Sequence, residues 1–261
     1  KNFKKIERVI SNCQPSSIFN LAAQSSVGKS INQPEDTIEG IINGTLTILE
    51  VGRKINYKGR IFFAGSSEMF GNTKNRADIN HVQNPMSPYG IAKQASFNLV
   101  KLYREIHNLK CVTGVLFNHE SHLRNKSFVT QKIIQSALKI KENRQTKLKL
   151  GNIEIVRDWG WAPEYVEAIQ IMTNSANLTD HIICSGNSSS LKDFIKKVFN
   201  FYGLNWEEHI EIDKSLFRPN EIKFSTGDPQ PLFEELGWKA RENLDSLILK
   251  LIEHSNKKSK N

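Results

Sequence analysis

The sequence is poor in cysteine and has no long apolar run. Its three cysteines, Cys13, Cys111 and Cys184, lie far apart and form no C-x-x-C pair. This spacing argues against a disulfide framework or a zinc site and fits reduced thiols, so we expect a cytoplasmic protein. No run of about 18 apolar residues is present, so we expect no membrane span. The basic, amphipathic first residues do not resemble a secretory signal.

Features of a metal site and of a nucleic-acid surface are also missing. His122, His181, His209 and His254 are scattered in sequence and show no metal-ligand spacing, so we predict no metal. The net charge of +9 favours anionic partners, and nucleotides, nucleic acid and acidic lipid all satisfy it. Lys and Arg are dispersed, however, without the basic–aromatic alternation of a nucleic-acid strip. We expect no nucleic acid and no membrane as partners.

Short apolar segments alternate with helical patterns over the first half of the chain. The 261 residues are 38% hydrophobic and 24% charged, enough for one large domain or two intimate ones. The predicted strands are 17–23, 60–67 and 111–118, and the helical patterns that follow them are 34–54, 88–107 and 128–143. Buried strands alternating with helices predict an α/β fold, a doubly wound, Rossmann-like parallel sheet.

The pattern changes after residue 140. We predict a strand at 146–152, a turn at 156–160 feeding a helix near Pro163, and helices at 191–204 and 243–254, with a loop-rich stretch at 218–240. We therefore expect a sheet domain at 1–118, to which 153–180 return. Residues 119–261 are expected to form mainly a smaller C-terminal domain over the binding edge of the sheet.

Polar clusters follow all three predicted strands. They read AAQSS at 22–26, GSSE at 65–68 and NHES at 118–121. Ligands of doubly wound sheets bind beyond the carboxyl ends of the strands. The sequence therefore predicts a ligand site built from these clusters.

Tyr89 and Lys93 lie about one helical turn apart, so both side chains project from one face of a predicted helix. A neighbouring ammonium favours the phenolate and lowers the pKa of a tyrosine. Ser66 and Glu68 lie at the end of the second predicted strand. Together with Tyr89 and Lys93 they would place a hydroxyl, a carboxylate, a phenol and an ammonium at one crevice. The alternatives are an ordinary helix surface for the Tyr–Lys pair and a solvated loop carboxylate for Glu68.

The order Ser66, then Tyr89-x-x-x-Lys93, resembles the short-chain dehydrogenase/reductase superfamily and its extended branch. Further motifs narrow the resemblance to the GDP-mannose 4,6-dehydratase family, matching in order from about residue 14 to residue 240. These motifs read NLAAQSSV, SSEMFG, SPYGIAK, LFNHESHLRNKSFVTQKI, LGNIEIVRDWG, FRPNEI and GDPQPLFEELGWK. The FNHES and FVTQKI motifs, followed by RDWG and RPNE, are the most specific.

The resemblance implies an internal redox dehydration of a nucleotide-diphospho-hexose, with NADP as cofactor. Tyr89 would take the proton of the sugar 4-hydroxyl, and Lys93 would favour the phenolate and hold the nicotinamide ribose. Ser66 would hydrogen-bond the developing 4-keto oxygen. Glu68 would remove the C5 proton and help water leave from C6.

The resemblance also implies the binding residues. The cofactor residues would be Leu21, Ala22, Ala23, Ser25, Tyr89, Lys93, His119 and Arg124. The nucleotide-sugar residues, with GDP-mannose as the expected substrate, would be Asn118, Lys132, Arg157, Arg218 and Glu221. Alternatives stay open: a structural His119, a local Arg157–Asp158 ion pair and a surface Arg218. The family further implies a homodimer or tetramer.

The chain also departs from the family pattern. The family's opening strand, Gly-rich turn and helix, which hold the cofactor pyrophosphate, have no counterpart here. Either the sequence is a fragment or incomplete gene product, which we expect, or the protein is truncated. Ser66 stands in place of the family Thr, Ser26 in place of a His, Asp36 in place of a Tyr and Leu123 in place of an Arg. A nucleotide-sugar epimerase or reductase, and a truncated non-catalytic paralogue, therefore remain alternatives.

Overall fold

The computed structural model describes residues 3–258. Its helices are α1 (Phe3–Cys13), α2 (Val27–Asn32), α3 (Pro34–Ile38), α4 (Gly44–Lys54), α5 (Pro88–His107), α6 (Val129–Lys141), α7 (Ala162–Asn174), α8 (Leu191–Phe201), α9 (Trp206–His209), α10 (Gln230–Leu236) and α11 (Leu244–Lys258). Its strands are β1 (Ser17–Asn20), β2 (Arg60–Ser66), β3 (Cys111–Leu116), β4 (Asn118–Glu120), β5 (Leu148–Leu150), β6 (Val156–Trp161), β7 (His181–Ile183), β8 (Ser188–Ser190), β9 (Ile210–Ile212) and β10 (Phe224–Ser225). A π-helical turn, Glu39–Asn43, joins α3 to α4, and 3-10 turns occupy Ser67–Met69 and Lys214–Leu216.

The first sheet is parallel and has the strand order β1-β2-β3-β7. Its register pairs Ile18 with Ile61 and Phe62 with Val112. The three strands predicted from apolar runs are therefore confirmed, each ending a few residues earlier than expected. Helices α4, α5 and α7 pack on this sheet, so the predicted α/β fold with a parallel sheet is confirmed.

Both faces of the first sheet are buried, and β2 shows why. Successive side chains of a strand point to opposite faces. Phe62 packs in the cluster formed with α7 and α10, whereas Phe63 packs in the cluster formed with α4 and α5. Both rings are at most 2% exposed. Burying one such side chain stabilises the fold by roughly 1.5–3 kcal/mol, so a sheet covered on both faces is favoured.

A second core lies in the C-terminal half. Its buried side chains come mainly from α6, β5, α8 and α11. Helix α8 is capped by Ser190, whose hydroxyl accepts the Asp193 backbone N–H at 3.0 Å, while the Asp193 carboxylate accepts the Ser190 hydroxyl. Two further sheets accompany this core: β10-β6-β4, with β8 antiparallel to β6, and the parallel pair β5-β9.

The structure differs from the sequence-based prediction at residues 156–160. The turn predicted there was wrong, because β6 runs through these residues at the centre of the second sheet. Arg157 and Asp158 are both buried, and their charges concealed the strand. Arg157 donates to the Ile222 carbonyl, whereas Asp158 accepts backbone N–H groups of the segment after β7. The two side chains therefore have different partners, and the local ion pair considered for them is not formed.

Two segments outside the expected bounds of the sheet domain also pack on the first sheet. Strand β7 pairs with β3, and Leu232 and Trp238 join the cluster on the α7 face. The chain thus returns to this sheet after residue 180. Within residues 3–258, none of the helices has the length and apolar character that crossing a membrane requires.

Candidate active site

Ser66 and Glu68 follow directly from the carboxyl end of β2. Ser66 is the last residue of the strand, and its hydroxyl accepts the backbone N–H of Glu68 at 3.3 Å. This bond caps a 3-10 turn, as serine hydroxyls do at helix starts. The cap fixes the turn that carries the Glu68 carboxylate away from the strand.

Tyr89 lies in the first turn of α5, which has a strong start signal. The Ser87 hydroxyl accepts the Gly90 backbone N–H at 3.1 Å, and Pro88 occupies the first helical position. Proline is favoured there because its fixed backbone angle suits a helix and its missing N–H is not needed. Tyr89 is thereby held against β2, and its phenol hydrogen-bonds the side chain of Ser66.

The pKa of Tyr89 differs from the sequence-based expectation. Burial raises it to about 12; the hydrogen bond from Ser66 and the charge of Arg124 oppose this rise, and the Glu68 carboxylate adds to it. Lys93 is 4% exposed and donates its ammonium to the Ala64 carbonyl at 2.7 Å. Burial lowers the pKa of Lys93 to about 8. The expected lowering of the Tyr89 pKa by Lys93 is therefore not present in this structure.

A cleft beside Glu68 brings together charged residues from distant parts of the chain. Four predicted site residues line it: Glu68, Arg157, Arg218 and Glu221. The other lining residues are Val27, Ile31, Met86, Ser87, Pro219, Asn220 and Ile222. Two cations and two carboxylates thus face one space, at the end of β2 and next to the start of α5.

The charges in the cleft influence one another strongly. Burial raises the pKa of Glu68, the charges of Arg157 and Arg218 oppose this rise, and Glu221 adds to it. Burial likewise lowers the pKa of Arg157, and the two carboxylates oppose that change. Burial also raises the pKa of Glu221. A partly buried carboxyl with a raised pKa can exchange a proton nearer to neutral pH than an exposed one.

Arg157 and Arg218 differ in how firmly they are held. Arg157 is 6% exposed and donates to the carbonyls of Val156 at 2.9 Å and Ile222 at 2.8 Å. Arg218 is exposed at the rim of the same cleft. The buried guanidinium is fixed by the backbone, and the exposed one is placed to meet an anion that enters from solvent.

A second group of predicted residues surrounds β4. His119 donates its Nδ1–H to the Phe117 carbonyl at 2.8 Å and stacks on the Tyr165 ring with centroids 5.0 Å apart. Burial lowers the pKa of His119, which favours the neutral ring. The Arg124 guanidinium lies 3.3 Å from the Glu120 carboxylate and donates to the His119 carbonyl at 3.2 Å. Its charge opposes the rise in the pKa of Tyr89.

The structure places other predicted residues away from the cleft. Lys132 lies on α6 and donates to the Lys149 carbonyl at 2.9 Å, and Asn118 begins β4. Leu21, Ala22, Ala23 and Ser25 are exposed beyond the end of β1. Among the residues that the structure describes, none of these lines the Glu68 cleft.

Several residues of the site were missed by the sequence-based prediction. Val27 and Ile31 come from the short α2, whose i, i+4 apolar spacing was the available signal. Ser87 could be found from the Ser-Pro start of α5. Buried Glu120, which holds Arg124, accepts the Thr130 hydroxyl at 2.7 Å and had no sequence signal.

The histidines are less scattered in space than in sequence. The rings of His122 and His254, which are far apart in sequence, stack with centroids 3.7 Å apart. Over the described part of the chain, no group of three or more His, Cys, Asp or Glu side chains is arranged to hold a metal ion.

The chain matches known proteins over most of its length. The family model described as GDP-mannose 4,6 dehydratase matches residues 1–251. GDP-mannose 4,6 dehydratase 1 of Arabidopsis thaliana is 39% identical over 244 residues, covering 92% of this chain and 68% of that protein. Among solved structures, dTDP-glucose 4,6-dehydratase of Bacillus anthracis in complex with NAD is 18% identical, with a TM-score of 0.87, and the match covers 99% of this chain and 78% of that chain. RMD of Pseudomonas aeruginosa, complexed with NADPH, is 19% identical with a TM-score of 0.85, covering 94% and 82% of the two chains. The chain belongs to the GDP-mannose 4,6-dehydratase family.

Proposed function

We propose that the chain is an NADP-dependent lyase that converts GDP-mannose to its 4-keto-6-deoxy derivative by internal hydride transfer. The observation that carries the proposal is Glu68, a carboxyl with a raised pKa that faces Arg157 and Arg218. It lies two residues after Ser66, whose side chain hydrogen-bonds Tyr89. Glu68, which would take a proton from a carbon atom, and Tyr89, which would take one from a hydroxyl group, thus lie close together at the end of β2.

The residues present fit a nicotinamide cofactor at the carboxyl ends of β1 to β3. A bound nicotinamide would supply reversible hydride storage between C4 and C6 of the hexose. The buried Lys93 ammonium is a donor for ribose hydroxyls, and the exposed Leu21, Ala22, Ala23 and Ser25 offer an open surface beside it. Arg124, together with the neutral His119 on the Tyr165 ring, would contact the same cofactor. NADP in preference to NAD rests on the family resemblance.

Tyr89 would take the proton of the sugar 4-hydroxyl as C4 is oxidised, with Ser66 hydrogen-bonding the resulting ketone. The phenol must first lose its own proton. Lowering its pKa from about 12 toward 8 requires about 5 kcal/mol of added stabilisation of the phenolate. One cation at contact distance supplies roughly 4 kcal/mol at an effective dielectric constant of 20. We propose that Lys93, released from the Ala64 carbonyl, supplies this charge.

Glu68 would then act on carbon. A ketone at C4 acidifies the C5 proton, and the Glu68 carboxylate removes it. The protonated Glu68 gives its proton to the leaving C6 hydroxyl, which departs as water and leaves a double bond between C5 and C6. The stored hydride would be returned to C6, and Tyr89 would give the proton it took from the 4-hydroxyl to C5, so the sugar would have lost one water in total.

The arginines would bind the diphosphate. Guanidinium groups suit it because they offer paired donors and keep their charge. Arg157 is fixed by the backbone and Arg218 lies at the rim of the cleft. Glu221 lines the same cleft and offers an acceptor for hydroxyl groups of the nucleotide sugar. Asn118 and Lys132 belong to the proposed binding set through the family motif alone.

The proposal also covers the roles of the two cores, the location of the protein and its oligomeric state. The core around the first sheet, 1–118 with 153–180 and the added strand β7, would bind the cofactor. The C-terminal core, mainly within 119–261, would bind substrate. Cytoplasmic location is supported by free thiols at Cys13, Cys111 and Cys184. A homodimer or tetramer is carried over from the family resemblance.

The test is incubation of the chain with NADP and GDP-mannose, followed by mass spectrometry of the product. We expect a product lighter by one water. A product of unchanged mass would favour a nucleotide-sugar epimerase, and substrate binding without turnover would favour a non-catalytic paralogue. Either result contradicts the proposal.

A further inference from the structure

We propose that Asn72 is a positioning residue that couples the segment carrying Glu68 to the segment carrying Arg218 and Glu221. This proposal rests on the proposed function. The two segments are about 150 residues apart in the chain, and both line the same cleft. Asn72 lies four residues after Glu68 and bonds to Lys223, the residue directly after the cleft-lining Ile222.

The Asn72 side chain makes three hydrogen bonds that join three parts of the site. Its amide oxygen accepts the backbone N–H groups of Lys223 at 2.6 Å and Phe224 at 3.2 Å. Its amide nitrogen donates to the Met86 sulfur at 3.3 Å. Met86 lines the cleft and immediately precedes the Ser87 cap of the helix that carries Tyr89. One side chain thus contacts the segment after Glu221 and the segment before Tyr89.

The backbone on both sides of Asn72 is held in place. Gly71 has a φ of +68°, and a Cβ there would lie 2.2 Å from the Asn84 carbonyl oxygen, so the chain can turn here only with glycine. On the other side, the buried Thr73 hydroxyl accepts the Thr226 backbone N–H at 2.7 Å. Residues 71–73 and 223–226 therefore run side by side, and Asn72 lies at the end of this pairing that leads to segment 218–222.

The cleft wall formed by segment 218–222 is held by the bond from Arg157 to the Ile222 carbonyl and, just beyond it, by the bonds of Asn72. Segment 218–222 carries two charged cleft residues, and Arg218 is exposed. Its outer end is fixed where Phe224 pairs with Val156 in the second sheet and where Asn72 binds the Lys223 and Phe224 amides. Removal of the Asn72 amide leaves both sheet pairing and the Thr73 bonds intact. The expected effect is a looser cleft wall in a folded protein.

The variants are Asn72→Ala, which removes the acceptor, and Asn72→Asp, which keeps an acceptor oxygen at the same position. Asn75→Ala is the matched control, because Asn75 is exposed in the same loop. For Asn72→Ala we expect the KM for GDP-mannose to rise about tenfold, as the loss of one or two hydrogen bonds would produce. We expect kcat, NADP affinity and thermal midpoint close to those of the parent. Asn72→Asp should recover most of the lost affinity, and Asn75→Ala should behave as the parent.

Hydrogen exchange followed by mass spectrometry gives a readout that does not depend on turnover. In Asn72→Ala, amides in a peptide covering 218–226 should exchange about tenfold faster, because two amides lose their acceptor. A peptide covering β3 should be unchanged. Unchanged exchange at 218–226, or faster exchange with an unchanged KM, overturns the proposal. A general loss of NADP affinity and thermal stability also overturns it, since that marks a merely structural role. A parent chain that does not turn over GDP-mannose overturns the proposed function instead, and exchange at 218–226 then still decides whether Asn72 holds this wall.

Discussion

Tyr89 and Lys93 lie one helical turn apart on α5, and the Lys93 ammonium donates to the Ala64 carbonyl, 5.7 Å from the centroid of the Tyr89 ring. The ammonium is therefore buried and close to the phenol without a direct bond to it. Burial moves the two pKa values toward each other, Tyr89 to about 12 and Lys93 to about 8. Lys93 therefore loses its charge as the pH rises through about 8, which lies within the pH range of ordinary activity assays.

The first prediction concerns the basic limb of the pH–rate profile. Lys93 is protonated below its pKa of about 8 and loses its charge above that value, so the phenolate loses its cation. We expect kcat/KM to fall as pH rises through about 8, measured as initial rates of GDP-mannose dehydration. Lys93→Met should lower kcat by about 100-fold or more at pH 7, the usual size of an acid–base contribution. Lys101→Met, an exposed change on the same helix, should retain parental rates. Activity that stays constant to pH 9.5 would contradict this role.

The second prediction concerns Glu68. Glu68→Gln keeps the side chain's shape and removes its base, so we expect kcat to fall by about 10²–10⁴-fold while GDP-mannose still binds. In the parent enzyme, burial raises the pKa of Glu68, so the acid limb of the profile should lie above the ordinary glutamate value. The base is lost by protonation as pH falls through this raised pKa. Binding is measured by calorimetry and turnover by product mass.

Glu35→Gln is the control for this variant, because Glu35 is exposed on α3. It should leave both the rate and the acid limb unchanged. Full turnover by Glu68→Gln would mean that another group removes the C5 proton, and the role given to Glu68 would then be wrong.

The strands of the first sheet could be predicted because strands that are buried on both faces consist mainly of apolar residues. Phe62 and Phe63 face opposite, equally buried sides, which produces an unbroken apolar run in the sequence. Strand β6 could not be predicted in this way, because it carries Arg157 and Asp158 in its middle. Arg157 bonds the Ile222 carbonyl, and Asp158 accepts the backbone N–H groups of residues 185 and 186. These partners are distant in the chain, so a local sequence pattern cannot indicate them.

The candidate site was predictable only in part, for a related reason. The end of a predicted strand indicated Ser66 and Glu68. The four-residue spacing on a predicted helix indicated Tyr89 and Lys93. Segment 218–222 is held at the cleft by bonds to residues far earlier in the chain, 65 positions for Arg157 to Ile222 and 151 positions for Asn72 to the adjoining Lys223. Only the family resemblance indicated this segment. The raised pKa of Tyr89 could not be read from the sequence either, because it depends on the burial of the phenol and on where the Lys93 ammonium points.

The third prediction concerns the pH dependence of stability. Asp158 is fully buried and accepts the N–H groups of Ser185 and Gly186, both at 2.8 Å. Burial raises its pKa from 3.8 to about 6. Between these values the folded state holds a proton that the unfolded state has released, so the free energy of unfolding falls as pH rises through this window. The change from this group is about 3 kcal/mol, fully developed above pH 6.

Asp158→Asn removes this titration, so the free energy of unfolding of the variant should decline less between pH 4 and pH 6 than that of the parent. Urea denaturation at several pH values measures the difference. Asp36→Asn, on the exposed face of α3, should keep the parental slope. Parallel curves for the parent and Asp158→Asn would show that Asp158 does not titrate in this window.

The fourth prediction concerns the support beneath His119. Gly160 on β6 packs against the Tyr165 ring, and a Cβ at Gly160 would lie 2.2 Å from the ring atom Cε2. Tyr165 is 1% exposed and carries the stacked His119, so the ring has no free space into which it can move. Gly160→Ala should therefore lower the free energy of unfolding by about 1–3 kcal/mol through overpacking, measured by urea denaturation. Because His119 would shift with the ring, we also expect weaker NADP binding by calorimetry.

Gly44→Ala provides the matched control for this last prediction. Gly44 has helical angles, φ −61° and ψ −47°, and a Cβ there meets nothing within 4 Å. The same added methyl group should therefore raise the free energy of unfolding by about 0.5–1 kcal/mol, since alanine loses less backbone entropy than glycine in a helix. Opposite signs at the two positions would establish that the contact with Tyr165 decides the result at Gly160. Equal free energies of unfolding for the two variants would mean that the Tyr165 ring can move to make room for the added methyl group. Tyr165 would then not be a rigid support for the His119 ring.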